Sequence, residues 1–75
     1  MEGSFALLDV VALMEDLPEE HVRRGQLGTI VEVFAPNVFE VEFSDNDGRT
    51  YAMLILRAEQ LMRLYTAPAV PTQAA

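Results

Sequence analysis

Two carboxylates set two residues apart, Glu40 and Glu42, are the first chemistry this sequence offers. On a strand they share one face at about 6.6 Å, a separation that glycosidases use for a general acid and its partner. That work also needs a buried carboxyl with a raised pKa, and the alternation of residues 39–43 puts both glutamates on an outer, solvated face. Asp16, Glu19, Glu20 and His21 offer metal-ligand atoms, but neighbouring loop residues rarely converge on one ion and the chain has one histidine. Asp45-Asn46-Asp47-Gly48 opens as a calcium loop does, yet Arg49 and Leu56 stand where ligands are needed. Gly25 and Gly28 lack the lysine and following helix of a phosphate loop. No serine has a supported base, and with no cysteine there is no thiol chemistry. The sequence therefore predicts a protein that is not an enzyme, with no catalytic residue, metal or cofactor.

Twelve acids against five arginines give a net charge of −7. Such a surface repels phosphates, which argues against nucleic acid as a partner. At 75 residues the chain makes one small domain with a modest core. Its hydrophobic content of 51% is more than that core can hold. The surplus predicts self-association, a homodimer foremost, or a partner protein that covers it. No apolar run approaches the roughly 20 residues of a membrane span, and no signal-like leader is visible, so a cytoplasmic protein is expected.

The elements that must position these residues follow from alternation and punctuation. Residues 5–14, with Val10-Val11 at their centre, predict a buried strand, with a helical start at residues 6–8 as the alternative. Pro18 keeps Leu17 out of the helical region and ends that segment in a polar loop. Gly25 and Gly28 mark a corner where positive φ or close backbone approach is needed. A second strand follows, with Leu27, Thr29, Val31 and Val33 assigned to the interior and Ile30, Glu32 and Phe34 to the outside. A third places Phe39, Val41 and Phe43 inside. Pairing Val33 with Phe39 and Val31 with Val41 predicts a loop of about three residues at Ala35-Pro36-Asn37, with Asn37 left-handed, or a wider loop because Pro36 fits poorly at the second turn position. A turn at residues 45–48 then pairs Phe43 with Thr50 and turns Ala52, Leu54 and Leu56 inward. One short helical turn near residues 57–60 precedes a last strand at residues 61–65, and residues 66–75 read as a disordered tail. The fold class is all-β: a small five-stranded SH3-like barrel spanning residues 1–65.

Several segments also carry a resemblance: Leu8-Asp9-Val10-Val11, the run from Glu15 to Glu19, the run from Arg24 to Val33, Phe39-Glu40-Val41-Glu42-Phe43, and the run from Asp47 to Ala52. In this order they resemble a family of small bacterial proteins known as a domain of unknown function, over residues 5–64. The resemblance implies an SH3-like barrel from bacteria and brings no reaction, cofactor or binding residue with it. Residues 25–33 are also similar to the KOW motif of ribosomal and transcription-elongation proteins, which implies nucleic-acid binding through Arg23, Arg24 and Arg49 as the alternative. Residues 15–33 look like the SH3-like part of nitrile hydratase β subunits. That likeness implies at most an accessory subunit of a larger enzyme, since the metal-binding chain is a different polypeptide.

With this register Ile30, Phe34, Val38, Tyr51, Met53 and Ile55 point away from the core, among Glu32, Glu40 and Glu42. Glu32 is expected opposite Glu40, a repulsive pair. These residues form the expected protein-interaction surface, for a second copy or for a genetically linked bacterial protein. Met62, Leu64 and Tyr65 on the last strand offer a second route, by edge pairing.

Overall fold

In the computed structural model, which describes residues 5–65, five strands follow in chain order: β1 (Val10–Leu13), β2 (Leu27–Ala35), β3 (Val38–Ser44), β4 (Thr50–Arg57) and β5 (Leu61–Tyr65). They form one antiparallel sheet in the order β4-β3-β2-β1-β5. The expected all-β class, the strand number and the helical turn before the last strand all hold, the turn being a 3-10 segment at Ala58–Gln60. A second 3-10 turn, Pro18–Glu20, occupies the loop expected after β1. Leu17 before it lies outside the helical region, at φ −124° and ψ 77°, as expected of a residue preceding proline. No described helix is long and apolar enough to cross a membrane. The tail expected at 66–75 lies outside the described residues.

β3 keeps its alternation from end to end. Phe39, Val41 and Phe43 are fully buried, while Glu40 and Glu42 on the opposite side are half-buried. Around these three the core gathers Val11 and Leu13 from β1, Val22 from the loop, Ile30 from β2, Leu56 from β4 and Leu61 from β5. Phe5 closes one end of it, edge-on to Phe39 at 5.4 Å.

β2 departs from the expected parity. Ile30, assigned to the outer face, is 0% exposed and pairs with Val41, while Leu27, assigned to the core, is 55% exposed. Val31 and Thr29 are half-buried. The cause is a bulge: the register shifts between Ile30 and Glu32, so Val31 is the extra residue and the side chains on either side of it change faces. Before the bulge the inward positions are Gly28 and Ile30. After it Val33 pairs with Phe39 and Glu32 with Glu40, both as expected, but Val33, assigned to the interior, is 42% exposed at the end of the strand. Gly28 is inward because nothing larger fits: a Cβ there would stand 2.6 Å from Val41 Cγ1 and 3.0 Å from the Phe43 ring. Gly25 serves the corner differently, at φ +91° as third residue of the turn closed by Gln26 N–H donating to the Arg23 carbonyl.

Three smaller expectations also change. The β2–β3 loop has two residues, Pro36 and Asn37, between paired Ala35 and Val38, and Asn37 is not left-handed. A second register shift, between Val33 and Ala35, absorbs the odd residue, Phe34. In the next hairpin Phe43 pairs with Ala52, and Thr50 with Ser44, because a bulge intervenes at Tyr51; Ala52, Leu54 and Leu56 still pack inward. Finally, β1 is shorter than residues 5–14. Residues 6–9 fold into a turn with Leu8 at φ +71°.

Candidate functional site

Pleating and register together define what the outer side of the sheet presents. On β4 the outward residues are Tyr51, Met53 and Ile55, all exposed, with Ile55 at 63%. Beside them on β3 the register sets Glu42 against Met53 and Glu40 against Ile55, and beyond Glu40 lies Glu32 of β2. An apolar row therefore borders an acidic one. Thr50 Oγ1 donates a hydrogen bond to Glu42 Oε2, which fixes one member of that acidic row. Phe34, at the bulge near the β2–β3 turn, is exposed as expected, and Val38 is half-buried. Of the residues assigned to this face, Ile30 alone is withdrawn from it, by the bulge at Val31.

The same bulge adds a residue that the alternation had hidden. Leu27 shares its face with Thr29, and Thr29 pairs with Glu42, so Leu27 belongs to the outer side. It pairs with Ala12, which in turn pairs with Met62 of β5, exposed like Leu27. The signal that could have found it is Gly28, whose missing side chain marks the true inward position. At the same end of the sheet, Gln26 Nε2 donates to Tyr51 Oη at 2.5 Å, tying the Arg23–Gln26 corner to the start of β4.

Arg23, Arg24 and Arg49 come to that end too, Arg23 and Arg24 in the corner before β2 and Arg49 in the β3–β4 turn. They stand among carboxylates. Asp16 Oδ1 accepts from the Arg24 backbone N–H at 2.9 Å, and Asp45 Oδ1 from those of Asp47 and Arg49. His21 ends the 3-10 turn at φ +62°. With Asp16, Pro18, Val22 and Arg23 it lines an open depression of about 530 Å³. Among the described residues no three His, Asp or Glu side chains gather to hold a metal. Glu40 and Glu42 both stand on the sheet's outer side, with Glu42 lining an open dip beside Leu27, Gly28 and Thr29.

Among the described residues, one charged side chain lies fully inside. Asp9 is 0% exposed, and its Oδ2 accepts from the Ala6 backbone N–H at 2.8 Å and sits 3.8 Å from Arg63 Nη1. Its Oδ1 has no hydrogen-bond partner among the described residues. The Arg63 guanidinium also lies over the Phe5 ring, 6.0 Å from its centre. The sequence pattern missed this group because its partner is on the last strand.

A family model described as a domain of unknown function, DUF4926, matches residues 7–63. The chain belongs to that family. The DUF4926 match runs from Leu7 to Arg63, so it takes in the turn at Leu8, both members of the Asp9–Arg63 pair and the whole outer face. Searches of curated proteins and of solved structures return no match to this DUF4926 chain.

Proposed function

We propose that this DUF4926 protein is a non-enzymatic protein-interaction module that works through the outer face of its sheet. What supports the reading is the exposed row Tyr51, Met53 and Ile55 on a domain of this size, continued across the sheet by Leu27 and Met62. Covering one large apolar side chain is worth about 1.5–3 kcal/mol, so several aligned on one face favour a protein partner over water. Ile55→Glu and Met53→Glu test it. Binding of a co-purifying protein, or dimer formed in a light-scattering concentration series, should be lost in both variants while the circular dichroism spectrum is kept. A strict monomer that retains no partner, or a partner indifferent to both changes, refutes it.

Self-association through β5 is a second reading, favoured by one observation. β5 is an edge strand whose one charged residue, Arg63, engages the buried Asp9. Exposed Met62 and Leu64 flank that arginine, and β5 thus has no charged side chain standing guard on its open edge. Met62→Lys and Leu64→Lys should then convert a dimer to monomer; a dimer that survives both excludes the edge.

A further inference from the structure

Resting on the interaction reading above, we infer that the outer face takes a cationic amphipathic segment of a different protein, and not the same face of a second copy. Glu32 and Glu40 are direct cross-strand partners, and Glu42 follows Glu40 on the same side. Like charges in opposed positions repel by about 0.2–1 kcal/mol. The two ion pairs among the described residues, Arg57–Glu59 and Arg63–Asp9, touch none of the three. Arg57, two places beyond Ile55 on β4, is taken up at 2.9 Å by Glu59. That hydrogen bond raises the Arg57 pKa and holds the Glu59 carboxyl below the usual carboxylate range.

Face-to-face pairing of two copies would press this acidic row against its own image, in chains that each carry −7. A guanidinium set between Glu32 and Glu40 turns the same repulsion into attraction, since its planar fork can serve two carboxylates. Phosphate backbones and anionic membrane surfaces are repelled for the reason that a second copy is. The occupant also needs apolar side chains for Met53 and Ile55, one strand spacing of about 4.8 Å from the glutamates. Residues three or four apart on a helix are about 5–6 Å apart. A helix with leucines along one stripe and arginines along the next therefore matches the paired rows Ile55–Glu40 and Met53–Glu42.

The probe is a synthetic helix of that pattern, read by fluorescence anisotropy beside two controls, the same peptide with Glu replacing Arg and a scrambled peptide of equal charge. The arginine helix should bind, more weakly as salt rises. Its affinity should fall about tenfold in the Glu32→Gln, Glu40→Gln double variant and again in Ile55→Ser, about 1.4 kcal/mol each. Glu19→Gln, on the distant 3-10 turn, should leave it unchanged. Equal binding of either control peptide, or undiminished binding by the double variant, overturns the inference. If no peptide binds while Ile55→Glu abolishes a dimer seen by light scattering, the cationic partner is wrong and the interaction reading stands. If the chain also stays monomeric and retains no partner protein, both fall.

Discussion

Two turns of this molecule share one hydrogen-bond pattern and differ in the residue at the position that matters. At the corner before β2, Gln26 N–H donates to the Arg23 carbonyl at 3.0 Å while Arg23 N–H donates to Gln26 Oε1 at 2.7 Å. Before β1, Asp9 N–H donates to the Ala6 carbonyl at 3.0 Å while Ala6 N–H donates to Asp9 Oδ2 at 2.8 Å. The third residue is left-handed in each, but it is Gly25 in the first and Leu8 in the second. Leucine there costs roughly 1–2 kcal/mol. It gains little by burial, since Leu8 is 54% exposed. The Leu8 turn must therefore be held by its neighbours: Leu8 N–H donates to the Ile30 carbonyl at 2.7 Å, Ile30 N–H to the Asp9 carbonyl at 3.0 Å, and the Asp9 carboxylate is buried beside Arg63. A glycine turn closes on its own geometry, whereas a leucine turn closes because the fold around it insists.

The sharpest way to break the comparison is Asp9→Ala. It opens the Ala6 N–H, leaves Arg63 without its carboxylate and creates a void. With Arg63 one-third exposed and able to reach water, the loss of stability should be about 2–3 kcal/mol in urea denaturation. Gly25→Val comes next, at about 1–2 kcal/mol, because it imposes on the first turn the strain that the second already carries. Gln26→Ala should cost about 1 kcal/mol, through the turn and the Tyr51 hydroxyl together. Leu8→Gly is the smallest effect and the most telling. Relief of strain outweighs the added freedom of the unfolded chain, for a net gain of about 0.5 kcal/mol. A loss of stability in Leu8→Gly would show that the turn is not strained.

How far the fold could be read from the residues varies strand by strand, for physical reasons. β3 was legible because Phe39, Val41 and Phe43 alternate with glutamates, and only one face of such a strand can be inside. β2 was not, since both parities carry apolar residues. Leu27, Val31 and Val33 outnumber Ile30 and Phe34, and the decisive inward residue, Gly28, contributes no hydrophobicity at all. A bulge then moves the pattern by one position in mid-strand. The outer residues of β4 were placed correctly despite a register error in the hairpin, because the bulge at Tyr51 left their parity intact. The opposition of Glu32 and Glu40 was also correct, for it lies beyond the β2 bulge. Asp9 escaped because its partner Arg63 stands on the last strand, which local alternation cannot encode.

The pairing of β1 with β5 has a consequence for how the chain acquires its shape. β2, β3 and β4 form hairpins with their sequence neighbours, and such local pairings assemble early and fast. β1 must wait: its second partner is the last strand of the domain, and Asp9 meets Arg63 only when that strand arrives. Closure of β1 onto β5 is thus the most non-local pairing in the sheet, and the inner residues Val11 and Leu13 gain their cover from Leu61 only when the two ends of the domain meet.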